Sequence, residues 1–124
     1  GEYFLPRVLA GEAIVEATGR DHSCDFTYVV DLAEALVAAA LEPSLAHDVY
    51  NVTGGVRRTR GDLAAAVRRL VPGARIEQGP GVDPARHLRG PCVISRARDD
   101  FGWQPRFTLE SGLADWLSRI GGSD

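Results

Sequence analysis

Short β-type segments alternate with helical segments along this chain, and this order constrains the fold more than any other feature. The β-type segments are rich in β-branched and aromatic residues, whereas the helical segments repeat apolar residues every three or four positions. The β-type segments are AIVEA, DFTYVV, DVYNV and RIEQ. Strands that alternate with helices are typical of α/β proteins, so the sequence predicts an α/β fold with at least partly parallel strands.

The helix ends carry their own sequence signals. Asp31 is predicted to be the N-cap of a helix that ends at Pro43, and Glu34 has the spacing of a capping box. Thr59 is predicted to cap a second helix, and Thr108 a last one. A parallel sheet needs helices on both of its faces. About three main helices are barely enough to cover a sheet of three or four short strands. Another chain is therefore a candidate for completing the core.

The chain has 124 residues and is predicted to form a single domain, residues 1–124. Its net charge of -3 gives no general attraction to nucleic acid or to an anionic membrane. No apolar run approaches the roughly 20 residues that span a bilayer, and no secretion signal is present, so a cytoplasmic location is predicted. Cys24 and Cys92 are predicted to be free thiols, with a disulfide between them as the alternative.

Several kinds of catalytic site are excluded by missing residues or spacings. All 14 basic residues are arginine, so this chain has no lysine amine to use in catalysis. A dinucleotide-binding turn needs the pattern Gly-x-Gly-x-x-Gly, and the glycines of VTGGVRRTRGD have a different spacing. The histidines, His22, His47 and His87, lie apart without metal-ligand spacing. We therefore predict no catalytic residue, no metal site and no cofactor site formed by this chain alone.

Four residues are predicted to bind substrate. A loop rich in glycine and proline, GPGVDPARHLRGP, carries Arg86 and Arg89, whose guanidinium groups suit phosphate oxygens. The alternative for both is a solvated basic loop. Phe26 and Tyr28 point to one face of the predicted DFTYVV strand, where they either belong to the core or stack against a ligand.

Taken together, four stretches resemble the C-terminal portion of the extended short-chain dehydrogenase/reductases, the NAD-dependent epimerase/dehydratase family. The stretches are DFTYVVDLAEAL, VYNVTGG, TRGDLAAAVRRLVPGARIE and ISRARDDFGWQPRFTLESGLADWL. The resemblance implies a Rossmann-like fragment that lacks the N-terminal dinucleotide-binding half. In the family, that half carries the Gly-rich NAD turn and a Tyr-x-x-x-Lys pair. NAD(P) is therefore implied for the complete family enzyme and not for this chain alone.

The resemblance also implies a class of substrate, since family members act mostly on nucleotide-activated sugars or related sugar acids. The DFTYV stretch and the basic loop would face that substrate. Two positions depart from the family pattern. Cys24 stands where many sugar-nucleotide epimerases have an arginine that reaches the diphosphate, and Val93 stands where an aspartate is common.

Two functions are consistent with these features. In the first, the chain is the substrate-side part of an NAD-dependent sugar or nucleotide-sugar epimerase/dehydratase-like protein, and it is catalytically incomplete without an N-terminal half. In the second, the chain is a stand-alone, non-catalytic binding or assembly module derived from that fold, with a second copy as its partner in a homodimer. Neither function involves nucleic acid or a membrane.

Overall fold

The computed structural model describes residues 4–87 and 90–121, and this part of the chain confirms the predicted α/β class. The elements, in chain order, are α1 (Phe4–Leu9), β1 (Ile14–Glu16), β2 (Ser23–Cys24), α2 (Val29–Leu41), β3 (Arg58–Thr59), α3 (Arg60–Leu70), β4 (Ile76–Gln78), α4 (Ser95–Phe101) and α5 (Leu109–Gly121). Among the helices described, none has the length and apolarity that a membrane crossing requires.

The strands form two separate two-stranded sheets. Strands β1 and β4 run parallel, with Ile14 opposite Ile76. Strands β2 and β3 run antiparallel, with Ser23 opposite Thr59. The predicted AIVEA and RIEQ strands are therefore present, and they supply the parallel pair. This pair joins segments far apart in the sequence and brings the loops that follow both strands to the same edge.

The main apolar core lies between α1, α3 and the parallel strands. Ile14 and Ile76 are buried side by side, and Val67 of α3 is fully buried against them. Burying an aliphatic side chain of this size contributes about 1.5–3 kcal/mol. Helix α5 covers the open side of α3 and adds half-buried residues to this core, namely Leu113, Trp116 and Leu117.

A second, smaller core lies between α2 and α4. Ala35 and Ala97 are buried, and the small side chains allow the two helices to approach closely. Trp103 completes this core, and its indole N–H donates a hydrogen bond to the backbone carbonyl of Asp31 at 3.1 Å. The rest of α2 is less covered, since Leu36 is 63% exposed and Leu41 is 77% exposed.

Two of the three predicted helix caps are confirmed. The Thr59 hydroxyl accepts from the backbone N–H of Asp62, and the Asp62 carboxylate accepts from the backbone N–H of Thr59, which completes a capping box at α3. At α5, the Thr108 hydroxyl accepts from the backbone N–H of Ser111 at 3.1 Å. Both caps satisfy N–H groups that a helix start otherwise leaves without a partner.

The predicted cap at Asp31 is wrong. Helix α2 begins two residues earlier, at Val29, and Asp31 lies inside its first turn with 1% exposure. Its carboxylate instead accepts hydrogen bonds from the backbone N–H groups of Arg106 and Phe107. Glu34 pairs with the Arg106 guanidinium and does not cap the helix. A distant partner therefore outweighs the local capping signal.

The predicted strands DFTYVV and DVYNV are also wrong. In the part of the chain that the structure describes, the only strand pairing near the first stretch is that of β2, which ends at Cys24, and α2 then begins at Val29. Residues 48–52 form no strand in the structure, and Tyr50 and Val52 pack instead against the core between α2 and α4. Both stretches contain good β-formers, but a strand requires a neighbouring strand to accept its hydrogen bonds.

Candidate functional site

Two concave surfaces adjoin each other beside the antiparallel sheet. The first, here called the polar cleft, has a volume of about 410 Å³ and is lined by His22, Ser23, Cys24, Asp25, Phe26, Arg60, Ala85, Arg86 and His87. The second, here called the apolar groove, has a volume of about 390 Å³, and its walls come from α1, α3, α5 and the segment 26–29. Phe26 lines both surfaces, so a single ligand can contact both.

Aromatic side chains form much of the apolar groove. The ring of Tyr28 lies 4.7 Å from the ring of Phe107, centroid to centroid, and Trp116 lines the same groove. The Tyr28 hydroxyl donates to the Asp115 carboxylate at 2.5 Å, and this bond, followed by burial, raises the pKa of Tyr28. Because the hydroxyl is held by Asp115, the ring has a fixed orientation in the groove wall.

Arg60 is the most deeply buried cation of the polar cleft, with only 5% exposure. Its guanidinium donates to the Glu16 carboxylate, and the Gln78 amide donates to the same carboxylate at 2.7 Å. Burial raises the pKa of Glu16, but the hydrogen bonds from Arg60 and Gln78 outweigh burial and hold that pKa below its usual value. Glu16 is therefore ionised at neutral pH and balances the charge of Arg60.

Arg86 also has a carboxylate partner. Its guanidinium donates to Asp83 at 2.9 Å, and Asp83 accepts a second hydrogen bond from the backbone N–H of Ala85. The bond from Ala85 is the main reason that the pKa of Asp83 is lowered, and the charges of Arg86 and Arg60 add to it. Asp83 thus lies within the electrostatic influence of both cleft arginines.

Asp25 holds the floor of the polar cleft in place. Its carboxylate accepts from the Thr53 hydroxyl at 2.8 Å and from the backbone N–H groups of Gly55 and Cys92 at 3.1 and 2.9 Å. The turn at 53–55 and the stretch around Cys92 therefore converge on one side chain. With these bonds made, Asp25 acts as a support for the cleft and is poorly placed to serve as a general base.

The structure places three of the four predicted substrate-binding residues at these two surfaces. Phe26 and Tyr28 are half-buried and line the groove, so neither belongs to the main core. Arg86 lines the polar cleft. Arg89, the fourth, lies outside the described residues. Phe26 and Arg86 thus both line the polar cleft.

Sequence reasoning missed three residues of the polar cleft, which are His22, Ser23 and Arg60. All three are at most 5% exposed. The side-chain atoms His22 Nδ1 and Ser23 Oγ are buried without a hydrogen-bond partner among the described residues. No local spacing marks these residues. The one available signal concerns His22 and Ser23, which lie just before the stretch DFTYVVDLAEAL that resembles the family.

The glycine turn at 54–55 does not fit a bound dinucleotide. A side chain at Gly54 would lie 2.3 Å from the backbone oxygen of Phe26, so the space beside this glycine is filled by the chain itself. The backbone N–H of Gly55 donates to the Asp25 carboxylate, so it is not available to a phosphate group. This turn therefore does not have the geometry of a dinucleotide-binding turn. The described residues include no group of three or more His, Cys, Asp or Glu that could hold a metal ion.

Comparison with known proteins identifies two proteins whose sequences are similar to this chain. No model of a known protein family matches the chain. UDP-glucuronic acid decarboxylase 1 of Arabidopsis thaliana is 33% identical over 100 residues, which cover 77% of this chain and 22% of that protein. A protein of Oryza sativa subsp. japonica that carries the name of a GDP-L-fucose synthase is 34% identical over 106 residues, which cover 86% of this chain and 30% of that protein. The chain thus spans less than a third of each relative.

Solved structures share the fold over nearly the whole chain. A GalE-like L-threonine dehydrogenase from Cupriavidus necator has a TM-score of 0.77 and 25% identity, and the match covers 94% of this chain and 44% of that one. Similar structures include complexes with NADH and with NAD. The resemblance inferred from the sequence motifs is confirmed by these comparisons. The chain belongs to the NAD-dependent epimerase/dehydratase family of extended short-chain dehydrogenase/reductases.

Proposed function

We propose that this chain is the substrate-side part of an NAD-dependent sugar or nucleotide-sugar epimerase/dehydratase-like protein. The observation that carries the proposal is the position of Phe26, which lines both the polar cleft and the apolar groove. A sugar-containing substrate has hydroxyl groups for a polar surface and apolar C–H faces that pack on aromatic rings. The two adjoining surfaces offer both kinds of contact.

The proposed role of this chain is to bind and orient the substrate. The rings of Phe26 and Tyr28 offer apolar faces, while the polar cleft offers hydrogen-bonding groups. In the complete protein, NAD(P) would supply hydride transfer, and a partner region would bind it. This chain has no lysine and no Gly-rich NAD turn, so it is catalytically incomplete alone.

The exposed face of α2 is the surface that we propose meets this partner region. Val29 and Val37 lie on it and are 63% and 58% exposed, in addition to Leu36 and Leu41. Apolar surface of this kind commonly marks an interface. The occupant that we propose is the rest of a dinucleotide-binding fold, because the curated relatives are more than three times as long as the stretch they share with this chain.

Ligand titrations followed by NMR test the substrate role. We expect D-glucuronic acid or UDP-glucuronic acid to shift the resonances of Phe26 and Tyr28. The substitution Phe26→Ala should weaken that binding about fivefold, since an aromatic contact of this kind is worth roughly 0.5–1.5 kcal/mol. Val15→Ala, at a side chain that is 71% exposed and lines neither surface, is the matched control. Binding of neither ligand, or equal binding to Phe26→Ala, would contradict the proposal.

Calorimetry with NAD tests the claim of catalytic incompleteness. We expect the 124-residue chain to show no NAD binding in the micromolar range and no turnover of UDP-glucuronic acid. Micromolar binding together with turnover would show that the chain is a complete enzyme.

A second function, the stand-alone assembly module, is favoured by the same exposed α2 face, which a second copy of the chain would cover. Light scattering distinguishes the two proposals. A homodimer that becomes monomeric in Leu36→Ser, and binds neither sugar ligand, would support the assembly module. A monomer that melts cooperatively and binds a sugar ligand would support the substrate role.

A further inference from the structure

We propose that the polar cleft receives an uncharged, hydroxyl-bearing part of the substrate, such as a sugar ring, and does not receive a diphosphate. This inference rests on the proposed function, and it specifies which chemical group of the substrate enters the cleft.

The charges of the polar cleft are already balanced by the chain itself. Arg60 is bonded to Glu16 and Arg86 is bonded to Asp83. A third carboxylate, that of Asp25, lines the cleft itself. Among the described residues, two guanidinium groups thus face three carboxylates. An incoming diphosphate would have to displace an internal carboxylate from an arginine and would then lie beside the remaining acidic groups.

Asp83 is the group that most directly excludes an external anion. It lies within the field of both Arg60 and Arg86, and the backbone N–H of Ala85 fixes its carboxylate in place. Asp83 therefore occupies, at Arg86, the role that a ligand phosphate would otherwise take. Cys24, which also lines the cleft, offers a thiol that cannot bind a phosphate as an arginine does.

The buried polar atoms of the cleft suit a hydroxyl group. His22 and Ser23 are 3% and 5% exposed, and His22 Nδ1 and Ser23 Oγ have no partner among the described residues. A serine hydroxyl both donates and accepts hydrogen bonds, and a neutral imidazole nitrogen does one or the other according to its tautomer. Sugar hydroxyl groups also donate and accept, whereas an ionised diphosphate only accepts. Buried polar atoms without partners are costly, so a ligand that satisfies them gains affinity.

The test compares methyl β-D-glucoside with UDP on the wild-type chain, followed by NMR. We expect the glucoside to shift the amide resonances of His22 and Ser23, and UDP to leave them unchanged. Ser23→Ala removes an unbonded hydroxyl and should leave the melting temperature unchanged or higher. The same variant should weaken glucoside binding about fivefold, which is the effect of one lost neutral hydrogen bond.

A charge variant tests the exclusion of the diphosphate. Asp83→Asn frees Arg86 and removes one repelling charge near the ligand. It should therefore increase the affinity for UDP at the cleft about tenfold, which corresponds to about 1.4 kcal/mol. Asp99→Asn is the matched control, because it removes the same charge at an exposed residue of α4 that pairs with Arg98. UDP that binds the wild-type cleft as tightly as it binds Asp83→Asn would overturn the inference.

The failure of this inference differs from the failure of the proposed function. UDP bound in the wild-type cleft would overturn the inference and leave a nucleotide-sugar function standing. A glucoside that leaves His22 and Ser23 unchanged, while UDP-glucuronic acid still shifts Phe26, would do the same. Absence of binding by all sugar ligands at Phe26, Tyr28, His22 and Ser23 would overturn both.

Discussion

Asp31 accepts a hydrogen bond from the backbone N–H of Arg106 at 2.9 Å, across 75 residues of sequence. The other oxygen of the same carboxylate accepts from the backbone N–H of Phe107 at 3.1 Å. Asp31 is almost fully buried, so both bonds lie away from water. This side chain therefore fixes the segment that precedes α5 onto the first turn of α2, and it joins the two cores of the molecule.

The substitution Asp31→Ala should lower the free energy of unfolding by roughly 2–4 kcal/mol, because it leaves two buried N–H groups without acceptors. Denaturant unfolding measures this change. Asp48→Ala, at an exposed residue, serves as the control and should be close to neutral. Equal stability of the two variants would show that the Asp31 bonds contribute nothing to the folded state.

Thr59→Ala should lower the free energy of unfolding by about 1 kcal/mol, since it removes the capping hydroxyl of α3. Thr59→Ser keeps a hydroxyl oxygen at the same position and should retain most of that stability. Thermal melts of both variants provide the measurement. A serine variant as unstable as the alanine variant would indicate that the methyl group of Thr59, and not its hydroxyl, is responsible.

Tyr50→Phe should raise the pKa of Asp100 towards its ordinary value. The hydrogen bond from the Tyr50 hydroxyl, at 2.6 Å, is the main reason that the Asp100 pKa is lowered, and His47 adds to it. A lowered pKa means that Asp100 stabilises the fold above its unfolded value near 3.8. That contribution disappears as the pH falls through the lower folded pKa.

Carboxyl NMR titration of Asp100 measures this shift. The acid limb of the pH–stability profile should also become shallower in Asp100→Asn, because this variant has no carboxylate to protonate there. An unchanged Asp100 titration in Tyr50→Phe would contradict the assigned cause.

Gly79→Ala should lower the free energy of unfolding by roughly 1–3 kcal/mol, as expected for overpacking. A side chain at this position would lie 1.8 Å from the backbone oxygen of Ala17, so the loops after β1 and β4 would have to separate. Gly90→Ala is the control, because a side chain there would meet no atom of the described residues within 4 Å. Denaturant midpoints compare the two, and equal midpoints would show that these loops move apart freely.

The parts of the fold that were predicted correctly are those with strong local signals. The Thr59 cap and the apolar spacing after it identify α3, and the short β-type stretches around Ile14 and Ile76 identify strands β1 and β4, although not their pairing. These signals act within a few residues, so the sequence carries them without knowledge of the fold.

The incorrect predictions have a common physical cause, which is that distant contacts override local preference. DFTYVV has the composition of a strand, but no strand among residues 4–87 and 90–121 pairs with it beyond Cys24. Asp31 has a side chain typical of an N-cap, but its buried carboxylate accepts hydrogen bonds from the backbone N–H groups of Arg106 and Phe107 instead. The same reason explains why His22 and Arg60 were missed, since their burial depends on segments far away in the sequence.

The three bonds made by Asp25 have a consequence for the motions of the polar cleft. The turn at Thr53–Gly55 and the stretch around Cys92 share this single acceptor, which directly follows β2, so an outward movement of Asp25 releases both of them together. In native-state hydrogen exchange, the amides of Gly55 and Cys92 would then be exposed in one common opening event. The wall of the cleft behaves as one cooperative unit, held by one carboxylate.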